Sequence, residues 1–185
     1  MKSRIEINMK KIVLAFLLLG VFACSDDEGE VYDADLQLEI DIENIEAYLN
    51  EEGITAEVDE TGIRYVILEE GTGQESPEVG DSLVVSYTLY NFNGTLLDTS
   101  IENVARAGGI YDERRTYAPL EFVLGTRSLI SGFQRGAQIL KEGGIGDFYI
   151  PSVFAYRNTG TSSGSIAPNE SILFRIVLLE LKKQN

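Results

Sequence analysis

Three textures of apolar and polar residues follow one another along the chain. Ile12 to Ala23 is apolar throughout and follows Lys10 and Lys11. A membrane-spanning helix takes about 20 residues, so this run has the proportions of a secretion signal instead. From Asp33 to Asn50 two periods compete. Leu36, Leu38, Ile40 and Ile42 alternate as in a strand, whereas Leu38, Ile42, Ile45 and Leu49 keep helical spacing. The length of the segment and its ending Glu46-Ala47-Tyr48-Leu49 predict a helix that stops near Gly53. Beyond Gly62 the pattern changes to short β-rich runs broken by Gly, Pro and Asn. Ile63–Glu69, Ser82–Phe92, Leu120–Leu124, Gly146–Ile150 and Ser171–Leu181 read as strands, with Asn93-Gly94 as a turn between two of them. One helix is predicted among them, over about Leu129–Leu140, with Leu129, Phe133, Ala137 and Leu140 on one stripe.

Several strands and one short helix predict an α+β domain whose sheet covers the helix to bury that stripe. The expected division is a signal over 1–23, a tether over 24–32, a helical extension over 33–61 and the folded domain over 62–185.

Charge sharpens these boundaries. Between Asp26 and Glu60 stand fifteen of the chain's 30 acidic residues and no Lys or Arg. Ser25–Glu30 has nothing to bury and reads as a solvated spacer. The apolar run ends as Val21-Phe22-Ala23-Cys24, and Cys24 is the only cysteine. This ending is similar to the lipobox of bacterial lipoproteins, in which the cysteine is lipidated and becomes the new N-terminus. The signal could equally begin at Met9. An acidic run after a lipidated cysteine resembles a surface-export signal of some Gram-negative phyla, although a plain spacer explains it as well. The expected location is therefore the cell envelope, anchored by lipid to the outer membrane on its periplasmic side or at the cell surface.

Cleavage before Cys24 removes four basic residues against Glu6 and takes the net charge from −15 to about −18. Such a charge argues against a nucleic-acid partner, and it leaves acyl chains rather than a basic patch as the means of holding a membrane.

Histidine is absent and the single thiol lies at the proposed anchor. Histidine triads, Cys–His pairs and His-ligated zinc are therefore excluded, and no cofactor or metal is expected. Gly71-Thr72-Gly73 lacks the context of a nucleotide loop.

What remains is a set of aromatic and branched residues near strand ends: Tyr87, Leu97, Phe122, Leu129, Ile130, Phe133, Tyr156, Ile166 and Phe174. Taken singly, each reads first as core. Their order, however, resembles the FK506-binding-protein family of peptidyl-prolyl isomerases over about Gly71–Leu181. The pieces that carry the resemblance are Val84-Val85-Ser86-Tyr87-Thr88, Leu97-Asp98-Thr99-Ser100, Phe122-Val123-Leu124-Gly125, Leu129 to Gly136, Phe154-Ala155-Tyr156 and Ile166 to Glu170, closing with Leu173-Phe174.

The resemblance implies a strongly bent antiparallel half-barrel around one helix, with a substrate proline in an apolar cup between them. Tyr87, Phe122, Leu129, Ile130, Phe133, Tyr156, Ile166 and Phe174 would line the cup, with Asp98 at its rim. The backbone N–H of Ile130 and the hydroxyl of Tyr156 would donate to substrate carbonyls. Implied partners are proline-containing polypeptides.

The sequence departs from the family's pattern at four points. Phe133 replaces a usual Trp, Leu97 and Leu120 replace aromatic wall residues, and Arg157 replaces a Gly. Any loop that needs positive φ at Arg157 would be costlier than with Gly. Residues 101–119 form a longer connection than usual, with Arg106, Arg114 and Arg115 in an acidic protein; they read either as a substrate-contacting flap or as a solvated insertion. Three functions compete: an isomerase for exported or surface proteins, a non-catalytic or chaperone-like binder of proline segments, and a structural lipoprotein that dimerises through its acidic extension.

Overall fold

The computed structural model describes residues 31–184. The signal segment, Cys24 and nearly all of the tether lie outside the described residues. Helix α1 spans Ala34–Glu52. Its start is fixed by Asp33, whose carboxylate accepts from the N–H groups of Asp35 and Leu36 at 3.0 and 3.1 Å. Its end is fixed by Gly53, in the left-handed conformation at φ 66°. The helical period thus prevails over the alternating one, leaving Leu36 and Ile40 exposed.

The strands are β1 (Glu57–Val58), β2 (Arg64–Glu69), β3 (Ser82–Tyr90), β4 (Leu96–Thr99), β5 (Leu120–Val123), β6 (Ile145–Ile150) and β7 (Ile172–Lys182). They form one antiparallel sheet in the order β1-β2-β6-β7-β3-β4. β5 also pairs with β3. One edge of β3 is consequently shared: Ser82–Val85 pair with β5, and Thr88–Tyr90 pair with β4. The chain between these two partners, residues 100–119, leaves the sheet where they meet. It carries helix α2, Glu102–Ala107, anchored by the fully buried Ala105. Sequence periodicity predicted a single helix in the domain, and neither α2 nor the two-residue β1 is long enough to show a period.

Helix α3 covers Ser131–Ile139, starting later than predicted because Ile130 is extended (φ −57°, ψ 142°). Its Phe133 and Ala137 meet the inward row of the sheet: Leu83, Val85 and Leu89 of β3, Phe148 and Ile150 of β6, and Phe174 and Ile176 of β7. Two glycines one turn apart let the helix sit close. A Cβ on Gly136 would lie 2.8 Å from Cγ of Phe148, and one on Gly132 would collide with the Ile150 side chain.

The outer face of the sheet receives α1. Ile45 and Leu49 pack with Tyr149, Val66 and Leu173, and the Tyr48 ring stacks on Phe92 at 4.6 Å. Arg64 pairs with Glu46 at 2.7 Å. Tyr32 and the described residues after it form one compact unit, across the change of composition near residue 61. Among the described residues, no helix is long and apolar enough to cross a membrane.

Two stability measurements check this packing. Gly136→Ala should destabilise the protein by about 1–3 kcal/mol in urea unfolding, through forced overpacking against Phe148. The second concerns Asp81, whose buried carboxylate accepts from Glu78 N–H (2.7 Å) and Gln184 N–H (2.9 Å) and pairs with Lys183. These partners lower its pKa from 3.8 to about 2, with the N–H of Gln184 contributing most. The folded value is the depressed one, so its contribution is complete above pH 3.8 and disappears as pH falls toward 2. Asp81→Asn should remove that part of the acid dependence of unfolding.

Candidate active site

Between α3 and the concave face of the sheet lies a cavity of about 270 Å³. Its walls come from five elements and two loops. β3 supplies Tyr87 and Leu89, β4 Asp98, β5 Leu120, β7 Phe174 and α3 Phe133. Ser128, Leu129 and Ile130 come from the loop before α3, and Tyr156 from the loop after β6. Phe133 is the floor. Its ring lies 5.0 Å from Phe174 and 5.8 Å from Tyr87, both edge-on, and 5.9 Å from Phe122.

Eight of the eleven residues proposed from sequence for the cup and its rim line this cavity: Tyr87, Asp98, Leu120, Leu129, Ile130, Phe133, Tyr156 and Phe174. Three do not. Phe122 is buried in the core with its ring against Phe133. Ile166 is buried in the same core, and Leu97 packs against that core from its edge. Leu89 and Ser128 line the cavity without having been proposed. Leu89 follows Tyr87 by two positions, so strand alternation places both on one face.

At the rim, Tyr87 donates its hydroxyl proton to Oδ2 of Asp98 at 2.7 Å, while Oδ1 accepts from the Thr99 N–H at 2.8 Å. Arg115 pairs with Asp98 and also donates to the Tyr87 oxygen at 3.2 Å. The connection over 101–119 is therefore a folded flap that delivers a cation to the rim. It is braced by Arg106 over the Tyr111 ring at 3.5 Å and by Tyr111 stacked on Tyr117 at 5.5 Å. Sequence reasoning read the three arginines as part of either a substrate-contacting flap or a solvated insertion and did not distinguish Arg115, because only the folded segment decides which one reaches inward.

Burial, and next the Asp98 carboxylate, push the Tyr87 hydroxyl up to about 12. Burial, followed by repulsion from Asp98, also raises Tyr156. Both phenols are protonated donors at neutral pH. The proton of Tyr87 is directed at Asp98, whereas the Tyr156 hydroxyl and the Ile130 N–H have no acceptor among the described residues. Both belong to residues that line the cavity.

Gln134 ties together the loop carrying Ile130. It accepts from the Gly125 N–H at 2.8 Å and donates to the carbonyls of Thr126 (2.8 Å) and Leu129 (3.0 Å). The Tyr156 loop is held less conventionally. Arg157 adopts φ 53°, a left-handed conformation that a non-glycine residue enters at a cost.

A second cavity, of about 420 Å³, lies on the other side of the β5–α3 loop. It is lined largely by polar side chains, among them Arg127, Arg135, Gln134 and Gln138. It offers no aromatic wall for an apolar ring. Among the described residues no three His, Cys, Asp or Glu side chains gather to hold a metal ion.

Residues 73–179 match the family described as FKBP-type peptidyl-prolyl cis-trans isomerase. The chain belongs to this family. It is 32% identical over 121 residues to peptidyl-prolyl cis-trans isomerase Mip of Coxiella burnetii, which covers 65% of this chain and 45% of that protein. It is 35% identical over 118 residues to FkpA of Neisseria meningitidis serogroup B, covering 64% of this chain and 37% of FkpA. The chain thus spans less than half the length of these two curated relatives. Among solved structures it is similar to a peptidyl-prolyl cis-trans isomerase from Pseudomonas syringae, with TM-score 0.58, 22% identity and coverage of 84% of this chain and 100% of that one. At that identity the likeness establishes the FKBP-type fold alone.

Gln134→Ala tests how the FKBP-type site is held. It leaves the Gly125 N–H unpaired and should cost about 1–3 kcal/mol in denaturant unfolding. Amide exchange at Gly125 should accelerate with it.

Proposed function

We propose that the chain is a peptidyl-prolyl cis-trans isomerase that acts on X–Pro bonds of exported or surface proteins. The observation that carries this reading is the aromatic cavity floored by Phe133, among whose lining residues the Ile130 N–H and the Tyr156 hydroxyl have no acceptor among the described residues. The barrier to rotation is roughly 18–20 kcal/mol because amide resonance must be broken. Water favours the planar, charge-separated amide over the twisted one, so transfer into an apolar cavity lowers the barrier. The two donors hold the flanking carbonyls in the twisted geometry and bind that state more tightly than the planar one. A thousandfold acceleration requires only about 4 kcal/mol. No nucleophile, cofactor or metal enters the scheme.

Roles follow from position. Phe133, Phe174, Tyr87, Leu89, Leu120 and Leu129 hold the prolyl ring. Tyr156 and Ile130 orient the substrate backbone. Asp98, neutralised by Arg115, fixes the Tyr87 ring without presenting a bare charge to an apolar ligand. A second reading, proline-segment binding without useful catalysis, is favoured by Phe133 standing in place of a larger indole and by the aliphatic Leu120 wall.

Exchange spectroscopy on a proline tetrapeptide separates the two. The first reading expects wild-type exchange far above buffer and about tenfold slower exchange in Tyr156→Phe, matching loss of one hydrogen bond of about 1.4 kcal/mol. Binding without any acceleration would leave the second. Because the Tyr87 and Tyr156 hydroxyls titrate above their ordinary value of 10, both stay protonated, and neither phenol should impose a change in rate between about pH 6 and 9.

The apolar run ending at Cys24 supports a lipid anchor in the cell envelope, with the acidic residues after it as a spacer. Metabolic labelling with a fatty acid should mark the wild type and not Cys24→Ser. The buried stripe of α1 is engaged within its own chain, so size measurement should give a monomer rather than a dimer through the extension.

A further inference from the structure

The stripe by which α1 docks contains a carboxylate. The residues of α1 that are buried are Asp41, Ile45 and Leu49, at successive turns, and Asp41 is fully inaccessible. An apolar side chain there would dock the helix without the several kcal/mol at stake in burying an acid. Asp41 has no cationic partner within ion-pair distance among the described residues. Its oxygens instead accept from the Ser152 hydroxyl at 2.6 Å, the Gln37 amide at 2.8 Å and, more weakly, the Val153 N–H at 3.4 Å.

Ser152 and Val153 open a short 3₁₀ turn, Ser152–Phe154, preceded by Pro151, which offers no side-chain acceptor to cap it. Asp41 supplies that cap from another element. The turn leads directly into Tyr156. The Ser152 carbonyl accepts from both Ala155 and Arg157 N–H groups at 2.9 Å, and Arg157 is the residue held at φ 53°. Ser152 therefore grips both sides of Tyr156, and Asp41 grips Ser152. The Tyr156 hydroxyl makes no hydrogen bond of its own among the described residues, so its place over the cavity is set by this backbone and by ring packing.

We propose that Asp41 is a positioning residue for the isomerase site: through Ser152 it fixes the turn that aims the Tyr156 hydroxyl. Helix α1 of the acidic extension is then part of the catalytic unit. This inference rests on the isomerase reading above only for its rate effects; the link between Asp41 and the turn can be read without activity.

The test uses the full chain with Asp41→Leu, which keeps the helix face apolar, and Ser152→Ala, which removes the same bond from the other side. Each should lower kcat/KM on a proline tetrapeptide by about tenfold, within the range that misplaced catalytic groups cost. The double variant should be no worse than either single one, and neither substitution should matter further in a Tyr156→Phe background. Cooperative unfolding of each variant establishes that the assayed protein is folded. In parallel, exchange of the Ala155 and Arg157 amides, both bonded to the Ser152 carbonyl, should accelerate in Asp41→Leu while that of β7 stays unchanged. Additive losses, or an undiminished loss in the Tyr156→Phe background, would overturn the inference. So would full activity in both folded single variants with unaltered exchange at Ala155 and Arg157. If the wild type itself shows no catalysis, the isomerase reading fails, and the exchange arm alone decides the link: faster exchange at Ala155 and Arg157 upholds it, and unchanged exchange refutes it.

Discussion

Phe133 reaches the rings of Tyr87 and Phe174 only because α3 lies against the sheet with no side chain intervening at two of its positions. Gly132 and Gly136 give that approach, against Ile150 and Phe148 respectively. Push the helix outward by the thickness of a methyl group and the floor of the cavity separates from its walls. The dense inward row of β3, β6 and β7 beneath the helix resists such a shift, since close-packed interiors absorb little volume change. The cavity is therefore a consequence of how α3 is seated.

Around that floor the polar groups are arranged so that few compete with an apolar ligand. Asp98 is a carboxylate at the mouth of a greasy hollow, and it is satisfied three ways, by the Tyr87 hydroxyl, the Thr99 N–H and Arg115. Its neutraliser comes from the flap that leaves the sheet where the edge of β3 changes partner. The Ile130 N–H and the Tyr156 hydroxyl, which have no acceptor among the described residues, stand on two different cavity-lining loops, one tied down by Gln134 and the other through Ser152. Rotation of a prolyl amide needs a site of this kind, because the reaction forms and breaks no bond and its barrier is one of lost resonance.

Strand runs and the α3 stripe were legible in the sequence because long elements bury one face and so repeat at their own period. Tyr87, Phe133 and Phe174 were legible for a different reason, the order of pieces shared with a known family. Short or irregular elements escaped: α2 has six residues, and Arg115 is indistinguishable from Arg114 until the flap folds. Phe122, Ile166 and Leu97 were assigned to the wall and turn out to support it from within the core or at its edge. Sequence order gives proximity, but it does not say which of two touching rings faces the solvent. Asp41 was hidden by the opposite bias, since an acid within an acidic helix reads as solvated until the turn at Ser152 packs on it.

The proposed reaction requires a prolyl ring to enter the hollow between α3 and the sheet. Intermolecular nuclear Overhauser effects between a proline tetrapeptide and the selectively labelled protein observe that contact directly. The ring protons of proline should show effects to the aromatic protons of Phe133, Phe174 and Tyr87. Effects confined to the groove beside Arg127 and Arg135, with none to Phe133 while exchange is catalysed, would contradict it.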